Sequence, residues 1–186
     1  MSDTSAWGPL AGLIGTWEGD QGLDVAFQHS KGDIGDTPYR ERATFSPFGP
    51  VDNGSQCLYG LDYRMSAWRE GEENPFHTEI GYWLWDATDG QVMRCFMVPR
   101  GSTILAGGAC APDATSFAMQ AEVGSDTYGI LSNAYLNRAA RTVRYEVMIT
   151  VEGDTFAYRQ VTTIEHAKLD EPLEHIDSNT LHRVAG

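Results

Sequence analysis

Apolar and polar residues alternate along most of this chain with the period of an extended strand. Val143, Tyr145, Val147, Ile149 and Val151 share one face, while Thr142, Arg144 and Glu146 point the other way. That is the pattern of a half-buried antiparallel strand. Glu152-Gly153-Asp154 reads as a tight turn returning the chain through Phe156, Tyr158 and Gln160 to Ile164 as a hairpin. The same period predicts strands at Leu23–His29, Tyr39–Phe45, Gln56–Ser66, His77–Trp85, Val92–Val98, Ser116–Glu122 and Ser178–Val184. Arg69–Glu73 and Asp86–Gly90 supply turns between them. Helical periodicity is confined to Ala6–Ile14, a short helix with Ser5 as its N-cap.

Many short antiparallel strands at regular spacing mean a barrel or a sandwich. About ten strands, one short lid helix and a plugged end favour an all-β antiparallel barrel with a cavity, since closure also removes exposed sheet edges. The plug is read from Gly15-Thr16-Trp17-Glu18-Gly19. Its glycines allow a close backbone approach, and the indole of Trp17 fills one end of the barrel.

At 186 residues the chain reads as one domain, residues 1–186, with room for a substantial core. Met1-Ser2-Asp3-Thr4-Ser5 carries no basic and apolar signal pattern, and no apolar run approaches the roughly 20 residues of a membrane span. The expectation is a soluble cytoplasmic protein. Three cysteines, Cys57, Cys95 and Cys110, form neither a metal pattern nor a disulfide framework, and Cys95 lies in an apolar run as a buried thiol would. A net charge of −13 argues against nucleic acid and anionic membranes as partners, and leaves the oligomeric state open.

Several segments together resemble the nitrobindin family of fatty-acid-binding-protein-like barrels. Gly15-Thr16-Trp17-Glu18-Gly19-Asp20-Gln21 looks like its opening motif, with the last glycine displaced to Gly22. Tyr39–Phe45 looks like its acidic strand ending in phenylalanine. His77-Thr78-Glu79-Ile80-Gly81-Tyr82 is the most specific match, and Pro172–Val184 looks like its closing strand. The resemblance spans nearly the whole chain, with an insertion near Pro50–Gly54. It implies a barrel that holds ferric heme b through a histidine, binds nitric oxide, and in some members isomerises peroxynitrite. Any enzyme activity here depends on bound heme, and no catalytic residue is assigned.

The departures bear on that implication. Counting back from Leu181, the family's ligating position falls on Ile176, and His175 stands one place off. A one-residue slip turns a side chain to the opposite face of a strand. Either a bulge near Ser178–Asn179 restores His175 to the cavity, or the axial ligand is absent. Asp24-Val25-Ala26 stands where the family carries a threonine, and its basic residue at the heme edge has no counterpart around Thr127–Ile130.

By resemblance, then, His175 is the candidate axial ligand of the heme iron, with His77 as a polar group near the cavity mouth. His175, Asp177, Asn179 and Leu181 share one strand face. The alternative places His175 in solvent beside Glu174 and Asp177, and leaves His77 to orient a turn with Glu79. His182 is a competing histidine read as a strand-end cap, and the spacing of His166, His175 and His182 makes no zinc pattern. Glu41 and Glu79 face inward only if buried partners exist, with Arg40, Arg42 and Arg64 the candidates. The aromatics Phe27, Tyr63, Trp68, Tyr82, Trp83, Trp85, Phe96 and Tyr145 are read first as core. The second functional reading is a non-heme barrel that takes a fatty acid or another small apolar molecule.

Overall fold

A computed structural model of the protein describes residues 4–28 and 30–185. His29, the end of the expected Leu23–His29 strand, and Met1–Asp3, read above for a signal pattern, lie outside the described residues. Eleven strands follow a 3-10 helix (Ser5–Leu13) in the order β1 (Gly15–Gln28), β2 (Asp33–Asp52), β3 (Cys57–Arg69), β4 (His77–Asp86), β5 (Gln91–Val98), β6 (Ser102–Ala109), β7 (Ser116–Glu122), β8 (Ile130–Ser132), β9 (Ala140–Glu152), β10 (Thr155–His166) and β11 (Leu173–Arg183). A short helix, α1 (Ala134–Ala139), precedes β9. Every pairing between these strands is antiparallel, in the order β5-β4-β3-β2-β1-β11-β10-β9-β7-β6, and β5 also pairs with β6. That last pairing closes a ten-strand barrel, with β8 added at the side of β6. The ring is thin at one joint, where β6 meets β7 through the single register pair Gly107↔Gln120. Among the described residues no helix is long and apolar enough to cross a membrane.

Three elements absent from the sequence reading have weak local signals, the first being β8, only three residues long. β6 contains Gly107 and Gly108, and glycine dilutes a strand pattern. α1 is six residues long, too short for a helical period to show, yet Asn133 caps it by accepting from the Leu136 amide at 2.9 Å. The N-terminal segment is a 3-10 helix kinked at Gly8, and Thr4, not Ser5, stands at its N-cap.

Strand alternation sorts the interior into layers along the barrel axis. The floor is apolar: Leu10 and Leu13 of the 3-10 helix are buried together with Trp17, Phe45, Trp85, Val151, Phe156 and Leu181. The Trp17 indole donates to the Leu13 carbonyl at 2.7 Å and packs edge-on against Phe156. Gly15 adopts φ 126°, which a side chain would strain, and a Cβ on Gly19 would meet the Thr180 carbonyl oxygen at 2.5 Å. Tyr145, Val147, Ile149 and Val151 point inward as the alternation predicts. Val143 is only half-buried, because the β9–β10 register shifts beside it. Val147→Asp is expected to destabilise by about 4 kcal/mol or more, since it leaves a charge unpaired in the core. Urea denaturation checks this, and a variant as stable as the parent would reject the register.

Five of the eight core aromatics, Tyr63, Trp83, Trp85, Phe96 and Tyr145, are buried. Tyr82 is half-exposed on the outer face, and Trp68 and Phe27 are partly covered. Cys95 also departs from expectation. It is half-buried on the outer side of β5, and its neighbour Arg94 takes the inner position between Val92 and Phe96.

Candidate functional site

Above the floor the barrel interior is polar. Glu79 on β4 and Arg94 on β5 form a buried ion pair, and Tyr63 donates to Glu79 at 2.9 Å. The Arg94 guanidinium also donates to Tyr63 and Tyr145, to Gln160 Oε1 at 3.3 Å, and lies 4.3 Å from the Phe96 ring centroid. Burial alone would raise Glu79, but the charge of Arg94, with His77 and Tyr63, holds it down at about 2. Glu41 on β2 has no such cation. Its carboxylate accepts from Tyr158 at 2.7 Å and Asn179 at 3.0 Å, and burial outweighs both, pushing it up to about 7. Tyr158 in turn shares a 2.8 Å hydrogen bond with Tyr39.

Both glutamates therefore face inward, but none of the three expected arginines supplies their partner. Arg42 pairs with Glu18 on the outer surface, Arg40 stacks over Trp68 at 4.4 Å, and Arg64 is exposed. The partner is Arg94. Its signal was its place in the Val92-Arg94-Phe96 alternation, a charged residue on an otherwise apolar inner face.

At the mouth, Gln160 links this layer to a second cluster. Its Nε2 donates to Asp177 at 3.0 Å. His175 Nε2 lies 2.8 Å from Asp24 Oδ1 and 3.3 Å from Asp177 Oδ2. Burial would lower the imidazole, but the hydrogen bonds and charges of Asp177 and Asp24 raise it to about 10. Asp177 is lowered, His175 outweighing the effect of burial. His77, the first residue of β4, stands 3.2 Å from Glu79 Oε1; that carboxylate raises it against the effect of burial.

His175 thus faces the interior, and it does so by plain alternation. The β10–β11 register runs without a shift from Leu173 to His182, so no bulge near Ser178–Asn179 is involved. The irregularity lies on β1, between Gly19 and Gly22, where the displaced glycine of the opening motif was noted. His182 points outward near the far end of β11, so His166, His175 and His182 form no common site. The group that does come within ligand distance of one another is Asp24, His175 and Asp177.

The mouth holds a cavity of about 160 Å³. Phe96, Val98, Ile104, Leu136 and Ile164 form its apolar wall, and His77, Tyr145, Gln160, His175 and Asp177 its polar side, with Arg100 at the edge. A smaller space of about 50 Å³ adjoins it between Asp24, Tyr39, His77, Gln160, His175 and Asp177. Below it, among Glu41, Arg94 and Tyr158, only about 10 Å³ remains.

A closed barrel plugged at one end, with a half-apolar, half-polar cavity at the other, is a ligand-binding barrel. The chain matches the model of the THAP4-like, heme-binding beta-barrel domain over residues 6–183, and it belongs to that family, the nitrobindin family. Heme is accordingly the cofactor that the family supports for it. The crystal structure of Rv2717c from M. tuberculosis is similar in fold, with a TM-score of 0.67, 19% identity, and 95% of each chain covered. No curated protein matches the chain.

Proposed function

We propose that this barrel binds heme b at its mouth, where His175 would supply the protein's donor to the iron. The observation that carries the reading is the inward placement of His175 beside an apolar wall. The residues present fit the group: an imidazole on the cavity side, an aromatic and aliphatic wall from Phe96 to Ile164, and the Arg100 cation at the edge for a carboxylate. The cavity is smaller than the roughly 300 Å³ at which pockets for drug-sized ligands begin, so it takes part of such a molecule and leaves the rest toward solvent. When bound, ferric heme would supply binding of nitric oxide and conversion of peroxynitrite to nitrate.

The chain's own residues set the terms. His175 Nε2 is engaged by Asp24 and Asp177, so that nitrogen serves as a donor only by leaving both carboxylates and releasing its proton. Gln160 holds Asp177 in place as this happens. The layer of Glu41, Arg94 and Tyr158 beneath the cavity leaves no dry channel, which counts against the alternative of a long fatty acid threaded down the barrel.

Titration with hemin tests this. The parent is expected to develop a shifted Soret band at micromolar hemin, and His175→Ala to weaken binding at least tenfold. His77→Ala and His182→Ala are expected to retain most of the band. A parent that binds no hemin, or a His175→Ala variant that binds as well as the parent, would overturn the reading.

A further inference from the structure

We propose that Asp24, His175 and Asp177 form a binding site for a divalent first-row transition-metal ion, held by the protein when no heme is present. The inference goes beyond heme binding, because it needs the two aspartates that heme does not use.

The backbone builds the site. Asp24 on β1 and Asp177 on β11 are direct cross-strand partners, and both side chains turn to the interior. Two carboxylates directly opposite each other on an inner face repel, and a cation between them relieves that repulsion. His175 is two residues before Asp177 on β11, so alternation brings it to the same face. One ligand atom from each of the three residues lies within 4.8 Å of the other two, with His175 Nε2 at 2.8 Å from Asp24 Oδ1 and 3.3 Å from Asp177 Oδ2. Donors bound side by side at about 2.1 Å from one ion stand about 3 Å apart, so the three atoms are already near a ligating arrangement.

Two further features fit. The space of about 50 Å³ bounded by these residues exceeds the volume of one water, leaving room for an ion and for solvent on its open side. Gln160 donates to the same Asp177 oxygen that faces His175, which orients the carboxylate from outside the set. An imidazole and two carboxylates without a thiolate suit Mn²⁺, Fe²⁺, Co²⁺ or Zn²⁺ better than soft monovalent copper. On binding, the ion takes the place of the proton between His175 and the aspartates. One proton goes to solvent, and the local charge of two carboxylates is neutralised.

The test uses the heme-free protein and Co²⁺, whose visible bands report its donor set, with Mn²⁺ and Zn²⁺ followed by calorimetry. One ion per chain is expected at micromolar concentration. Asp24→Asn, Asp177→Asn and His175→Ala are each expected to weaken it at least thirtyfold, while His182→Ala leaves it unchanged. In the unsubstituted protein, Mn²⁺ is expected to broaden the nuclear-magnetic signals of His175 and His77 before those of His182. Absence of binding up to millimolar ion, binding that survives Asp24→Asn and Asp177→Asn, or broadening centred on surface carboxylates would each overturn the proposal. Hemin separates this from the heme reading. Asp24→Asn is expected to lose the ion and keep the Soret band, so either proposal can fail while the other stands.

Discussion

Arg94→Met is expected to lower the free energy of unfolding by about 3–5 kcal/mol, the usual cost of stranding one partner of a buried ion pair. The pair is deep: Arg94 and Glu79 are 4% and 2% exposed. Removing the guanidinium leaves the buried Glu79 without its main counter-charge and withdraws a donor from Tyr63, Tyr145 and Gln160 at once. Against a typical total of about 5–15 kcal/mol, that is a large fraction. The double variant Arg94→Met with Glu79→Gln is expected to regain most of the loss, because no charge then remains to be solvated. Guanidinium denaturation of the parent, the single and the double variant checks both claims. A single variant within 1 kcal/mol of the parent would show that the pair contributes little.

The second large effect is a loss of stability with rising pH through Glu41. Its carboxyl sits at about 7 in the folded chain against 4.5 when unfolded. A folded value raised in this way means that the folded state holds the proton more tightly. The contribution is full below 4.5 and is lost as pH climbs through about 7. The gap corresponds to about 3 kcal/mol. Tyr158 and Asn179 face the carboxyl directly, Tyr39 stands behind Tyr158, and Glu79 and Arg94 act from the neighbouring cluster with opposite signs. His175 loses its own contribution between about 6.5 and 10, overlapping this range, but it does so in parent and variant alike, so the comparison with Glu41→Gln isolates the glutamate. Unfolding measured at pH 5 and pH 8.5 is expected to show the parent weakening by about 3 kcal/mol more than the variant. An equal pH dependence in both would remove Glu41 as the cause.

Much of the barrel could be read from alternation alone. The β9–β10 hairpin and the inward face of β9 from Tyr145 to Val151 follow from a two-residue period that the closed sheet enforces on every strand, and the plug at Trp17 from its glycine-flanked motif. β6 and α1 could not be read that way, because glycines and a length of six residues leave no period to count. The site was half legible. The shared face of His175, Asp177 and Asn179 is local and was visible on β11. Asp24 joins it only through the β1–β11 register, and Arg94 meets Tyr145 only because the sheet closes into a ring. Such contacts between residues distant in sequence carry no local signature, and the sequence therefore points to Arg40, Arg42 and Arg64 where the fold uses Arg94.

The thin joint between β6 and β7 gives Arg94 a mechanical meaning. Its side chain starts on β5 and reaches Tyr145 on β9 and Gln160 on β10, passing behind the two strands whose backbones barely meet. The guanidinium is a tie rod across the inside of the cylinder, drawn tight where the amide lacing of the wall is slack. At that level the barrel is braced from within as well as by the backbone ladders on either side of the joint, just below the cavity.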